Sequence, residues 1–216
     1  MYDAVIFDFD GTLADTAEDV WRSVEYAAAR AGGRVSPEFR ACARNLALPR
    51  RDIWREIGGG SEGFGVFERE LDRHYVSLNA FENTSVYPGV VDLLEALRRD
   101  NRELYVVTNK AFRAADKLIR LLGLAQFFRA WYSPDGPGGW NLSKSELLAM
   151  LMENELSDKV SVYVGDSYGD VEAARANGMP VIGALYGDGD PRGELSPDYL
   201  AESAAALFPL LLGRRF

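Results

Sequence analysis

"VIFDFDGTLADT", residues 5–16, decides how this chain is read. Val5, Ile6 and Phe7 form an apolar run, as a strand buried on both faces does. Asp8 and Asp10 follow, one residue apart, and then Gly11 and Thr12. Two carboxylates this close repel, and burial raises the cost. A buried strand ending in them needs a compensating cation or ligand. The stretch predicts a core strand whose carboxyl end carries chemistry.

Outward from that strand, helical and strand signals alternate. "TAEDVWRSVEYAAARAGG" reads as a helix, with Thr16 and Asp19 spaced as a capping pair and Gly32 as its stop. Only helical signals follow, at 37–47, 50–57 and 64–80. "YPGVVDLLEALRRD" is a helix with Pro88 in its first turn. "RELYVVTNK" is a strand, "AFRAADKLIRLLG" a helix ending at Gly123, and "FRAWYS" a short strand. "SKSELLAMLMENEL" is a helix opened by a Ser143/Glu146 capping box. "KVSVYVGDS" is a strand, "YGDVEAARANG" a helix, "MPVIGALYG" a strand and "AESAAALFPLLL" a closing helix. "GGGSEG" (58–63) and "GPGG" (136–139) read as loops. The pattern predicts an α/β fold, a doubly wound, Rossmann-like parallel sheet built from residues 1–15 and 86–216. An all-helical insertion occupies 16–85.

Composition bounds the function. The chain has 216 residues, 47% of them hydrophobic, enough for a full core. A formal net charge of -9 argues against nucleic acid or an anionic membrane as partner. Cys42 is the single cysteine, so no internal disulfide can form and a reducing, cytoplasmic setting is expected. The start, "MYDAVIFDFD", has acids in its apolar run and does not read as a signal peptide. No stretch of about 18 uncharged apolar residues exists, so no membrane span is expected. Oligomeric state stays open between monomer and homodimer.

In open α/β sheets, ligands bind at the carboxyl ends of the strands. Three predicted strands end in polar groups: Asp8/Asp10, Thr108-Asn109-Lys110, and Asp166. With Asp170, four carboxylates are placed to meet. A hard divalent cation, Mg²⁺, resolves their repulsion and invites a phosphate oxygen into its shell. Carboxylates, a metal, a hydroxyl and a lysine are the parts phosphoryl transfer needs. Lys144 falls in the first turn of its helix if Ser143 is the cap, where the helix dipole disfavours a cation. An anion held nearby would explain it there; Lys110 is a competing candidate. Asp170 forms a capping box with Ser167 and can serve the site as well. Asn109 can equally cap a helix starting at Ala111.

"DFDGTLADT", "VVTNK", Lys144 and "GDSYGDVEAARANG", in that order, resemble the four motifs of the haloacid dehalogenase superfamily. The nearest likeness is to its phosphoglycolate-phosphatase-like and beta-phosphoglucomutase-like group. The insertion 16–85 sits where such proteins carry a helical cap of the first type. The resemblance implies Asp8 as nucleophile and Asp10 as general acid, then base, with the Asp10 backbone carbonyl on Mg²⁺. It implies phosphate contacts from Gly11, Thr108 and Asn109, and Lys144 bridging nucleophile and phosphate. It implies Asp166 as a direct Mg²⁺ ligand and Asp170 acting through water or holding Lys144. Proline often follows this lysine in relatives; here Ser145 does. Arg50 and Arg51, beside Arg55 and Trp54, are candidates for the end of the substrate away from phosphate, or form a solvated basic face. His74, the single histidine, is expected to be structural.

The function expected is Mg²⁺-dependent hydrolysis of a small phosphomonoester metabolite, such as phosphoglycolate, a sugar phosphate or a nucleotide. Asp10 separates the chain from dehalogenases, which lack that second aspartate. The first lysine is Lys110, so the insertion has none for the Schiff base of phosphonoacetaldehyde hydrolases. A beta-phosphoglucomutase-like mutase remains the alternative, because Arg50 and Arg51 could hold a second phosphate. A non-catalytic regulatory protein of this fold would be marked by loss of Asp8, Asp10 or Lys144, and all are present.

Overall fold

A computed structural model describes residues 2–136 and 141–213, so residues 137–139 of the expected GPGG loop lie outside the described residues. The strands are β1 (Ala4–Phe7), β2 (Ala14–Asp15), β3 (Ser85–Val86), β4 (Glu103–Val107), β5 (Ala130–Tyr132), β6 (Ser161–Gly165), β7 (Val181–Ala184) and β8 (Tyr199–Ala201). The helices are α1 (Ala17–Ala31), α2 (Pro37–Arg40), α3 (Arg50–Glu56), α4 (Phe64–Arg73), α5 (Val90–Arg99), α6 (Phe112–Leu121), α7 (Lys144–Glu155), α8 (Tyr168–Ala176) and α9 (Ala204–Leu212).

Six strands form one sheet in the order β5-β4-β1-β6-β7-β8, every neighbouring pair parallel. β1 lies between β4 and β6, with Ile6 in register with Tyr105 and Tyr163. Each residue of β1 and β7 is buried, as an unbroken apolar run in a helix-covered parallel sheet requires. Ile6, Tyr105 and Tyr163 pack with Leu147, Leu148 and Leu151 of α7 and Val171 and Ala174 of α8. The neighbouring strand tips of β1, β4 and β6 therefore deliver Asp8, Thr108 and Asp166 to one end of the sheet.

The chain divides into two compact units, 1–15 with 85–216, and 16–84. β2 and β3 pair antiparallel, Asp15 opposite Ser85, which assigns Ser85 to the sheet unit. The other unit has its own core. Trp21, Val24, Ala27 and Ala28, the apolar stripe of α1, pack with Ile53 and Trp54 of α3 and Phe67 and Leu71 of α4. Trp54 stacks on Phe67 at 5.1 Å between ring centroids, and its Nε1 donates to the Gly60 carbonyl at 2.8 Å.

Several elements differ from the sequence reading. The helical signal over 37–47 resolves into α2 and a 3-10 turn, Ala43–Ala47. That over 64–80 ends at Arg73, followed by a π turn, His74–Leu78. Thr16 makes no side-chain cap to α1, and its expected partner Asp19 turns elsewhere. Asp19 Oδ2 accepts from the Asn83 backbone N–H at 3.0 Å and the Thr84 hydroxyl at 2.8 Å, and Oδ1 accepts from Asn83 Nδ2 at 3.1 Å. A buried carboxylate takes the donors that satisfy it best, and three distant ones outcompete one local amide. Pro88 precedes the cap of α5, Gly89, instead of lying in its first turn. β8 carries little apolar signal, with Tyr199 and Leu200 both exposed, and pairing with β7 creates it.

The glycine run at 58–63 is more than a loop: part of it is a slot for an indole. A Cβ built on Gly59 would lie 1.9 Å from Trp54 Cε2. Gly59→Ala is expected to destabilise the helical unit by about 2 kcal/mol, a typical cost of overpacking. Urea denaturation followed by tryptophan fluorescence checks this, and an unchanged midpoint would refute the slot.

Candidate active site

The tip of β1 brings Asp8 into a buried cluster with Asp166 and Asp170. One carboxylate oxygen from each lies within 4.8 Å of the others. Asp8 Oδ1 accepts the Phe9 backbone N–H at 2.7 Å. Lys144 is the first residue of α7, and Ser143 with Glu146 forms its capping box. Its Nζ reaches Asp8 Oδ2 at 2.9 Å and forms an ion pair with Asp170 Oδ1. The Lys144 side chain is 6% exposed, so these carboxylates offset both desolvation and the unfavourable helix dipole.

Asp170 uses both oxygens within the protein. Oδ1 faces Lys144 and the Tyr163 hydroxyl, the latter at 3.2 Å. Oδ2 accepts the Ser167 backbone N–H at 2.9 Å and hydroxyl at 2.7 Å, closing the capping box of α8. Asp166 is held differently. The Gly189 backbone N–H donates to its Oδ2 at 2.8 Å, and Thr12 Oγ1 lies 3.5 Å from Oδ1. Gly11 has φ +72°, and a Cβ there would stand 2.1 Å from Asp166 Oδ2. Gly11 thus does two things that other residues cannot: it turns the chain left-handed and leaves room for a carboxylate.

These placements split the acidities. Burial, then the charges of Asp170 and Asp8, push Asp166 up to about 8. Burial also raises Asp8, although Lys144 opposes it. Desolvation works the same way on Asp170, but the Lys144 charge and the bonds from Lys144 and Ser167 outweigh it and hold Asp170 low. Lys144 itself is held protonated, since the two carboxylates outweigh its burial.

Asp10 does not join the cluster with its side chain. Its Oδ1 lies 2.8 Å from Lys110 Nζ. Thr108 is buried at the tip of β4, and its Oγ1 accepts the Lys110 backbone N–H at 3.3 Å. Asn109 is exposed and does not cap α6, whose N-cap is Ala111. The Phe112 N–H donates instead to Asp135 Oδ1 at 2.7 Å, from the loop after β5. Within the helical unit, Arg50 pairs with Asp72 at 2.8 Å, Arg51 lies over the Phe64 ring at 4.4 Å, and Arg55 pairs with Asp52 at 2.7 Å. His74 Nδ1 is 3.0 Å from Ser23 Oγ, and its ring lies 4.3 Å from that of Tyr26.

The family model for haloacid dehalogenase-like hydrolases matches residues 5–184. The chain belongs to this family. A phosphoglycolate phosphatase of Agrobacterium fabrum is 30% identical, over 95% of this chain and 91% of its own length. A 5'-nucleotidase of Pseudomonas aeruginosa is 29% identical, over 94% of this chain and 93% of its own. The crystal structure of a predicted phosphatase from Clostridium acetobutylicum superposes with a TM-score of 0.83 at 26% identity, covering 99% of this chain and all, 100%, of that one. This haloacid dehalogenase-like hydrolase is an enzyme of the phosphatase kind, and no helix among its described residues is long and apolar enough to cross a membrane.

Groups that the sequence did not single out surround the cluster. The Gly189 amide, Tyr186, whose hydroxyl donates to the Thr12 carbonyl at 3.0 Å, and Tyr163 all brace the cluster. "LYGDGDPRG", just past a strand end, carried that signal for the first two by the strand-end rule. The donor set also fits a cation. It is all oxygen and buried, and its Asp166 keeps a proton because nothing nearby outweighs its burial and its acidic neighbours. Such a set suits a small hard ion.

Burial and its acidic neighbours push the folded Asp166 carboxyl from the ordinary 3.8 up to about 8. The folded protein holds the extra proton between those values. This group's contribution to stability is complete below about pH 4 and is lost as pH rises through about 8. A cation bound in this cluster would compete with that proton. The rise in Tm on adding Mg²⁺ is therefore expected to be larger near pH 8.5 than near pH 6, and to vanish in Asp166→Asn. Melts at both pH values check this; an equal rise at each would refute it.

Proposed function

We propose that this hydrolase is a Mg²⁺-dependent phosphomonoesterase that cleaves a small phosphorylated metabolite through an aspartyl-phosphate on Asp8. The observation that carries the reading is the buried Lys144 ammonium, 2.9 Å from Asp8 Oδ2 and paired with Asp170. A lysine so placed aligns a carboxylate nucleophile and can share a phosphoryl oxygen with it.

Asp8 attacks phosphorus in line, and the bond to the leaving oxygen breaks with its electron pair on that oxygen. Asp10 gives that oxygen a proton and becomes a carboxylate. Water then attacks the phosphoryl group, Asp10 takes its proton, and the bond to Asp8 breaks to release inorganic phosphate. Lys144, Thr108 and the amides near Gly11 hold the phosphoryl oxygens, with Asn109 orienting the substrate. Asp8, Asp166 and the Asp10 backbone carbonyl would hold Mg²⁺, which when bound neutralises charge on the phosphoryl oxygens. Asp170 holds Lys144, because its oxygens are engaged by Lys144, Tyr163 and Ser167.

The relatives' names point to phosphoglycolate or a nucleotide as the kind of substrate, and a sugar phosphate shares the same reacting group. Residues 16–84 occupy the sequence position of a helical cap in such proteins, and Arg50 and Arg51 are candidates for the end of the substrate away from phosphate. With Arg50 on Asp72 and Arg51 over Phe64, no specific observation favours a second-phosphate cradle, so hydrolysis is preferred to mutase chemistry.

Asp8→Asn is nearly isosteric. It is expected to fold normally and to lose turnover by about 10⁴-fold or more, as other covalent enzymes do without their nucleophile. A phosphomonoester panel with Mg²⁺, run beside this variant and an EDTA control, checks it. Full activity in Asp8→Asn, or activity indifferent to EDTA, would overturn the proposal.

A further inference from the structure

Given the acid–base role proposed for Asp10, on which this step rests, we infer that Lys110 is its positioning residue and is not a second phosphate-binding cation. The two buried lysines divide the carboxylates between them. Lys144 serves Asp8 and Asp170, while Lys110 Nζ lies 2.8 Å from Asp10 Oδ1.

The geometry of the pair shows which member is fixed. The Lys110 side chain is 5% exposed and that of Asp10 is 38% exposed. The ammonium is walled in, and the carboxyl group is the half that reaches outward. Lys110 is anchored at both ends. Its backbone N–H donates to Thr108 Oγ1 at 3.3 Å, and its Nζ lies 5.8 Å from the ring of Phe9, which is fully buried. That distance is within cation–π range. A long side chain held this way loses most of its rotamer freedom and can transfer that order to Asp10.

The contact also selects an oxygen. An ammonium has donors and no acceptor, so Lys110 takes a lone pair of Oδ1 and favours Oδ2 as the oxygen that exchanges a proton with the leaving group. When the phosphorus–oxygen bond of the substrate breaks, Oδ2 passes its proton to the departing alkoxide. The carboxylate left behind faces Lys110, which favours the transfer. An aryl ester such as 4-nitrophenyl phosphate departs as a stable phenoxide and needs no proton, so its cleavage does not depend on where Asp10 points.

The test compares kcat/KM for 4-nitrophenyl phosphate and for the aliphatic phosphomonoester that wild type cleaves best, both at saturating Mg²⁺. General acid catalysis contributes 10²–10⁴-fold, so Lys110→Met is expected to lose about 10²-fold on the aliphatic ester and stay within about threefold on the aryl ester. Lys110→Arg should recover much of the loss, since it keeps the charge and the reach. Inhibition by inorganic phosphate should be unchanged in both variants. Equal losses on the two esters with weaker phosphate inhibition would make Lys110 a phosphate ligand and overturn the inference. Full activity on both esters would overturn it too. If Lys110→Met melts early, Lys110→Gln carries the same comparison with the same outcomes. Wild type that cleaves neither ester with Mg²⁺ overturns the phosphatase reading itself. Active wild type with an unselective variant overturns the role of Lys110 alone.

Discussion

A lysine buried at the start of a helix has two reasons to be unstable, and Lys144 has both. Desolvation penalises its charge, and the positive end of α7 repels it. What keeps it there is a pair of carboxylates from separate elements, Asp8 from the tip of β1 and Asp170 from the first turn of α8. Removing one acid's charge would leave the ammonium with the other carboxylate, and removing the lysine would leave carboxylates facing one another. Asp166 completes the set, its proton retained by burial and by its acidic neighbours, and a cation bound there would compete with that proton.

The rest of the sheet unit serves this arrangement. β1, β4 and β6 are neighbours, so their carboxyl ends lie side by side. Packing of Leu147, Leu148 and Leu151 against Tyr105 and Tyr163 sets the height of α7 on the sheet, and with it the place of Lys144. Small residues then make the close approaches possible. Gly11 clears space for Asp166, and Gly189 supplies the amide that holds it. The helical unit keeps its own core around Trp54 and Phe67, and its Asp19 ties α1 to the returning chain at Asn83 and Thr84.

The two lysines of this acidic centre have separate charge partners. Lys144 pairs with Asp8 and Asp170 of the buried carboxylate cluster, while Lys110 pairs with Asp10, whose side chain lies outside it. Separate partners keep the two ammonium groups from competing for the same oxygen. Under the role proposed for Asp10, its side chain reaches the leaving oxygen from outside the carboxylate cluster, held by an ion pair of its own.

The sequence alone determined the alternation of strands and helices, the insertion between the first strand and the rest, and the residues at the strand tips. Those features are local: apolar periodicity, capping pairs at Ser143 and Ser167, and the doubled acid after β1 are written within a few residues of where they act. Tertiary structure alone decided the partners. That Asp19 would leave Thr16 for Asn83, that Asp135 and not Asn109 would cap α6, and that a glycine amide at 189 would hold Asp166 depend on segments brought together from far along the chain. Hydrogen bonds and ion pairs go to whichever donor the packed fold places nearest, and a linear pattern carries no distance.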